Sequence, residues 1–247
     1  MTMFYALSKP LPQIPDVSWK LSARSFQPAT LITWLSLSVV CLAILVWDLQ
    51  KNNPELGSLM KFVWGLTTLY SGPLGLAVYH YSGRKQIRRD SLWRKGWRST
   101  GHCYSGCGLG EIIGITLTVG ILAVASNILV SLVTFSFAYL FGMILTIGPL
   151  MQEGVSFGDA LTDAFYSETA SIVFMEAVAI GTDIWIAGEA KMHDVLFWTA
   201  LLLSLTAGLL AAYPVNALLI KYGIKEGMMN PRMMREDVNM QQQAAAG

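Results

Sequence analysis

The longest apolar run of the chain is the feature that most constrains its fold. Residues 107–151 number 45 and contain one ionisable carboxylate, Glu111, with no lysine or arginine. As a helix rising about 1.5 Å per residue, this run would extend roughly 68 Å, about twice the hydrocarbon thickness of a bilayer. The sequence therefore predicts a membrane protein that crosses the bilayer twice within this run.

The composition places the whole chain in the same class. Charged residues make up only 13% of the sequence and hydrophobic residues 53%, whereas soluble proteins carry about 25% charged residues. The basic segment 83–101 lies between two apolar spans, where the positive-inside rule explains it without nucleic-acid binding. The motifs of serine hydrolases, zinc proteases and nucleotide-binding enzymes do not occur. We therefore expect no nucleic-acid partner and no autonomous enzyme.

Hydropathy predicts an all-α polytopic bundle of about six transmembrane helices. The apolar spans lie at residues 30–47, 60–81, 109–125, 128–150, 165–187 and 195–220. With both termini in the cytoplasm, 14 of the 17 lysines and arginines fall on the cytoplasmic side, as the positive-inside rule requires. The third span is short, and a re-entrant segment is the alternative for it.

The predicted organisation has three parts. Residues 1–28 form an extended cytoplasmic segment that lacks the pattern of a cleaved signal peptide. Residues 29–227 form the six-helix transmembrane domain, which includes a basic cytoplasmic linker at 83–101. Residues 228–247 form a mobile tail rich in methionine and glutamine.

A histidine and two cysteines stand at the start of the long apolar run. His102, Cys103 and Cys107 offer imidazole and thiolate, the ligands that Cu(I) and Zn(II) prefer. Glu111 or a methionine would complete the ligand set. If Cys107 opens the third helix, the helix N-terminus would favour its thiolate. The C-x3-C spacing differs from that of zinc knuckles, and a tight glycine turn with cysteines that merely pack is the alternative.

Acidic residues within the apolar spans form a second candidate site. Glu176 lies near the middle of the fifth span, and Asp183 follows on the same helical face seven residues later. Glu168 lies one turn into that helix. An acid at mid-membrane costs at least about 2.5 kcal/mol and usually faces an interior site, so these residues suggest a polar or proton-coupled path. The alternative is a structural hydrogen bond from Glu176 to one of three polar residues, namely Asn127, Thr134 and Asn216.

Small residues and prolines predict how the helices pack. Gly106, Gly110 and Gly114 recur every four residues, a spacing that lets helices approach closely in lipid. Pro73 and Pro214 fall inside the second and sixth spans, where they would bend their helices.

Three motifs occur in order along the chain. They are Trp64-x-x-Thr67-x-Leu69-Tyr70-x-Gly72-Pro73-Leu74-x-Leu76 with Gly83-Arg84, then His102-Cys103-x-x-Gly106-Cys107-x-Leu109-Gly110-Glu111-Ile112-Ile113, and then Tyr213-Pro214-Val215-Asn216 with Gly223-Ile224-Lys225. Over residues 64–228 the set resembles a prokaryotic membrane family, the domain of unknown function 4396. The resemblance implies a multi-pass helical protein with the His-Cys cluster as its hallmark, and it implies no activity. The acid expected after the Leu-Gly pair is aspartate, where this chain has Glu111.

These features lead to one functional prediction and two alternatives. The prediction is metal handling in the membrane, with copper favoured over zinc, through the His-Cys cluster. The first alternative is a transporter of a non-metal solute coupled to protons or ions by Glu176 and Asp183. The second is a non-catalytic subunit of a larger membrane complex. The expected partners are the lipid bilayer, a metal ion, and partner subunits or further copies of the chain, in a prokaryotic cytoplasmic membrane.

Overall fold

Helices account for nearly all of the chain that the computed structural model describes, which is residues 28–152, 154–188 and 190–228 together with Arg232. The helices are α1 Pro28–Lys51, α2 Ser58–Ser71, α3 Pro73–Ser82, α4 Leu92–Ile115 with the π-helical Thr116–Ile121, α5 Asn127–Gln152, α6 Phe157–Ala187 and α7 Val195–Lys221. No strand occurs among the described residues, so the predicted all-α class is confirmed. The predicted N-terminal segment and tail lie almost wholly outside those residues.

Five of the helices are long and apolar enough to cross a membrane. They are α1, α4 with its π-helical extension, α5, α6 and α7, and they correspond to all of the predicted spans except the second. The second span, at residues 60–81, is divided between the shorter helices α2 and α3. The chain is therefore a multi-pass membrane protein, while the total of six spans and the cytoplasmic position of both termini stay predictions.

The second span is broken at Gly72. This residue has a φ of +53°, a conformation that favours glycine, and a Cβ there would lie 2.8 Å from Ser38 Oγ of α1. Pro73 follows as the first residue of α3, a position where its missing N–H costs nothing. The predicted bend at Pro73 is thus a complete break between two helices.

The third span differs most from its prediction. It was expected to begin at residue 109, but α4 begins at Leu92, after Ser91 caps the helix by accepting a hydrogen bond from Arg94 N. The predicted linker over 83–101 therefore includes the first turns of α4 from Leu92 onward. Helix and π-helix together run for 30 residues, so the span is not short. The predicted start at residue 109 was too late because basic residues before a span indicate its side of the membrane and are also compatible with a helix.

Helices α4, α5, α6 and α7 form what we call the core bundle, and α1, α2 and α3 form an N-terminal layer beside it. Helix α4 is the most buried of the five long helices. In its apolar 18-residue stretch 56% of the residues are buried, against 17% for α1. A Cβ on Gly106 would lie 2.9 Å from the backbone of Gly142, and one on Gly114 would lie 2.8 Å from the backbone of Thr134. The predicted close approach of helices along the glycine stripe is confirmed as the α4–α5 contact.

Candidate functional site

Two thiols lie side by side in the middle of α4. Cys103 and Cys107 are one helical turn apart and are both fully buried. The Oγ atom of Ser171, on α6, is 3.8 Å from Cys103 Sγ. Cys107 does not open a helix, because α4 begins at Leu92. The glycine turn of the alternative is wrong, since the segment is helical, but both cysteines do pack in the hydrophobic core as that alternative expected.

His102 is directed away from the thiol pair. It is adjacent to Cys103 in sequence and so lies about 100° around the helix from it. Its Nε2 atom is 3.4 Å from Thr146 Oγ1 of α5. Within residues 28–152, 154–188 and 190–228, no group of three or more histidine, cysteine or acidic side chains is placed to hold a metal ion. The described fold brings together two of the predicted metal ligands, and metal handling stays a prediction.

Three acids follow the bundle-facing side of α6. Glu168 and Glu176 are buried and Asp183 is half-buried. Their intervals of eight and seven residues correspond to about 12 Å and 10.5 Å along the helix. Together they extend over about 22 Å, most of the ~30 Å hydrocarbon core of a bilayer. The fold therefore places all three predicted acids along one polar line through the bundle.

Glu176 is the most deeply buried of these acids and has the fewest partners. Its side chain is fully buried, and neither carboxyl oxygen has a hydrogen-bond partner among the described residues. Glu111 and Cys103 lie within electrostatic reach of it. The alternative of a structural hydrogen bond to Asn216 is wrong, because the Asn216 amide donates to Ser171 Oγ at 2.6 Å instead.

A cavity lies where α4, α5 and α6 meet, near the end of the bundle at which α6 stops. Its volume is about 50 Å³. Its polar lining consists of Glu111, Asp183, Asn127, Ser131 and Thr134. Asn127 and Thr134, which the sequence offered as partners of the mid-membrane acid, thus face a different pair of acids. We call this the acidic cavity.

At the opposite end of α6, a lysine from beyond α7 enters the bundle. Lys225 Nζ donates to Glu168 Oε2 at 2.7 Å and to Asn216 Oδ1 at 2.9 Å, and all three groups are buried. In the sequence, Lys225 was placed in the third motif and among the cytoplasmic positive charges, and neither predicted a partner for it. Glu168 was the signal that could have suggested this ion pair, since an acid inside a span often pairs with a cation.

The segment after α7 is fastened to α4, which holds Lys225 in place. Arg98 Nε donates to the Met228 carbonyl at 3.0 Å, and Met228 N donates to Ser99 Oγ at 3.2 Å. The fully buried Arg98 also forms an ion pair with Asp90 at 2.6 Å. Residues of the predicted linker therefore anchor the end of the site that contains Lys225.

Polar groups thus extend from one end of the core bundle to the other. In order along the bundle, this polar row consists of the acidic cavity, Glu176, the Cys103–Cys107 pair, Ser171, Asn216 and the Glu168–Lys225 ion pair.

The family comparison matches this part of the chain. A family model described as a domain of unknown function, number 4396, matches residues 92–225, from the first residue of α4 to Lys225. The match covers more than half of the 247 residues. It includes the second and third sequence motifs, whereas the first motif, at 64–84, precedes it. No curated protein and no solved structure matches the chain.

Proposed function

The chain belongs to the family of the domain of unknown function 4396, and from the site inside the matched region we propose that it is a membrane transporter coupled to protons or cations. The polar row is the coupling path, as in the first alternative drawn from the sequence. The observation that carries the proposal is Glu176, a fully buried acid without a hydrogen-bond partner among the described residues.

The position of Glu176 is not explained by folding. Burying a polar group without hydrogen bonds costs roughly 1–3 kcal/mol by mutational measures, and an ionised carboxylate costs far more. Acids inside membrane spans usually mark ion or proton paths. Glu176 is therefore suited to take up and release a positive charge from the groups on either side of it.

The ion pair at the other end supplies a second state for such a path. In the described arrangement Lys225 Nζ neutralises Glu168, so a cation or proton that reaches Glu168 competes with that ammonium group. Displacing Lys225 would open the row toward the end of the bundle opposite the acidic cavity. Two arrangements of Lys225, one paired and one released, give the alternation that coupled transport needs.

Proton flux in reconstituted vesicles tests this proposal. Purified protein is placed in liposomes that contain a pH-sensitive dye, and a pH gradient or a salt gradient is imposed. We expect dissipation several times faster than in protein-free vesicles, and we expect Glu176→Gln to abolish the difference. The matched control is Asp163→Asn, which changes an exposed acid on the same helix. Equal rates for wild type, Glu176→Gln and empty vesicles under both gradients would refute movement of protons or cations along the polar row.

Metal handling remains a second candidate because of the thiol pair. Cys103 and Cys107 face one buried region one turn apart, and soft thiolates select Cu(I). Zinc normally takes four protein ligands in a closed site, and the described residues bring only two thiols together here. The residues that would hold the ion are thus the two cysteines, with copper favoured over zinc.

Metal content by mass spectrometry tests the second candidate. Detergent-purified protein is reloaded with copper under reducing conditions beside a Cys103→Ser/Cys107→Ser variant. Near-stoichiometric copper that the double variant loses and a Cys41→Ser control keeps would support it, since Cys41 is a buried cysteine of α1. Absence of copper from the reloaded wild type would exclude it.

The remaining alternative is a subunit of a larger complex, and it stays a prediction. Location in a prokaryotic cytoplasmic membrane is likewise a prediction from the sequence. Co-purification of stoichiometric partner chains in mild detergent would support the subunit alternative, and a chain that transports protons alone in vesicles would exclude a need for partners.

A further inference from the structure

We propose that the acidic cavity binds a hard divalent cation of the Mg²⁺, Mn²⁺ or Ca²⁺ class between Glu111 and Asp183. The role of this cation in coupling rests on the proposed transport function. Binding itself can be measured without transport. The proposed cation site is at one end of the polar row, and its ligands are different from the thiols that the sequence suggested as metal ligands.

The donors of the cavity are all oxygens. Two carboxylates, one amide and two hydroxyl groups line it, from Glu111, Asp183, Asn127, Ser131 and Thr134. Hard cations take such ligands, whereas thiolate and imidazole select softer ions. The volume of about 50 Å³ exceeds the 10–15 Å³, approximately, that one water needs. A cation that keeps a water ligand would therefore fit.

Two of these oxygens are buried and lack a partner among the described residues. They are Glu111 Oε2 and Thr134 Oγ1, in side chains that are 2% and 3% exposed. A buried polar atom without a partner is costly in a folded protein. Two such atoms that line one cavity, on neighbouring helices, are the donors that a bound cation would use.

Charge favours a divalent ion over a monovalent one. Glu111 and Asp183 lie within electrostatic reach of each other, and none of the described residues that line the cavity is a lysine or an arginine. Two carboxylates in low dielectric repel each other unless a cation or a shared proton lies between them. A divalent cation compensates both charges, whereas a monovalent cation leaves one of them uncompensated.

The cavity is open to entry at one end. Asn127 begins α5 and is exposed, and Asp183 is half-buried near the end of α6. Glu111 lies deeper, at 2% exposure. A cation can therefore reach Asp183 first and Glu111 second, which directs it toward Glu176 and the rest of the row.

Thermal unfolding in detergent tests the binding. The midpoint is measured against increasing MgCl₂, MnCl₂ or CaCl₂, with NaCl at matched ionic strength as the reference. We expect a saturable rise of several degrees with at least one divalent salt, because a ligand that binds only the folded state stabilises it. Electron paramagnetic resonance of added Mn²⁺ gives the stoichiometry, which we expect to be one ion per chain.

Isosteric variants assign the site. Glu111→Gln and Asp183→Asn are each expected to weaken binding at least about tenfold, a change worth about 1.4 kcal/mol. Thr134→Val keeps the side-chain shape and removes one donor, so it should weaken binding severalfold without destabilising the cation-free protein. Asp163→Asn, an exposed acid on α6, should leave binding unchanged.

The other outcomes either refute the cavity site or show that cation binding and transport are independent of each other. No saturable divalent binding, binding unaffected by Glu111→Gln and Asp183→Asn, or the same response to NaCl alone would overturn it. Divalent binding in a protein that shows no flux would keep the cavity site and refute transport. Proton flux without divalent binding would keep transport and refute the cavity site.

Discussion

In the N-terminal layer the carboxylate of Asp48 accepts hydrogen bonds from four side chains, whereas in the core bundle the two carboxyl oxygens of Glu176 accept none from the described residues. Both acids are buried in helices of the same membrane protein. The partners of the first acid are the amides of Asn52 and Asn53, the hydroxyl of Tyr79 and the guanidinium of Arg84.

The difference separates a structural acid from a functional one. Asp48 joins α1 to α3 and to the segment after it, so its hydrogen bonds and ion pair hold the N-terminal layer together. Glu176 contributes no such link, and its burial opposes folding. An acid kept under those conditions is explained better by a ligand that it binds than by the fold that contains it.

The largest stability effect is expected where an acid of the polar row is paired. Lys225→Met leaves Glu168 buried without its ammonium partner, and breaking a buried ion pair costs about 3–5 kcal/mol. The measurement is unfolding in detergent followed by circular dichroism. A Glu168→Gln/Lys225→Met double variant removes both charges and should recover much of the loss. If the double variant is as unstable as the single one, the ion pair is not the cause.

Removing the charge of the structural acid comes next. Asp48→Asn weakens bonds from Tyr79 and Arg84 while it keeps the size of the side chain. Hydrogen bonds to charged groups contribute about 1.5–3 kcal/mol, so we expect a loss of about 2 kcal/mol in the same unfolding measurement. A loss below about 0.5 kcal/mol would contradict the structural role of Asp48, because Asp48 would then contribute no more to stability than Glu176.

A glycine substitution separates packing from hydrogen bonding in the core bundle. A Cβ on Gly110 would clash with the backbone of Phe137 in α5, and overpacking of this kind costs about 1–3 kcal/mol. Gly110→Ala should therefore lower the unfolding midpoint. Gly181→Ala is the control, since nothing lies within 4 Å of a Cβ there. Similar effects of both substitutions would show that the helix contact is looser than described.

The smallest stability effect is expected for the unpaired acid. Glu176→Gln loses no hydrogen bond to the described residues, so the free energy of unfolding should change by less than about 0.5 kcal/mol or should rise. The same variant should abolish flux. An unchanged free energy of unfolding would therefore show that the loss of flux does not come from unfolding. A loss comparable to that of Asp48→Asn would mean that Glu176 has a structural partner after all.

The sequence predicted the parts of the site that depend on one helix alone. The spacing of Gly106, Gly110 and Gly114 indicated a packing face, and the presence of Glu176 and Asp183 in an apolar span indicated an interior path. Both follow from helical periodicity and the cost of charge in lipid. The structure confirms the packing face and has Glu176 buried with Asp183 half-buried, while the path itself stays a prediction.

The parts that depend on contacts between helices could not be predicted in the same way. Lys225 is 57 residues from Glu168. A positive charge just beyond a span indicates the side of the membrane on which the span ends, and it does not indicate a partner inside the bundle. Thr134 was proposed as a hydrogen-bond partner of Glu176, which is wrong, because neither side chain has such a partner among the described residues; it lines the cavity with Glu111 and Asp183 instead. The start of α4 at Leu92 was hidden by basic residues that suit a loop and a helix equally well.

The Glu168–Lys225 ion pair also sets an order for assembly during synthesis. At about 5–20 residues per second, the 57 residues that separate Glu168 from Lys225 take about 3 to 11 s to make. Throughout that interval α6 carries an acid whose cation does not yet exist. The core bundle can therefore reach its final arrangement only after the ribosome has passed Lys225, and a chain interrupted earlier keeps Glu168 without this cation.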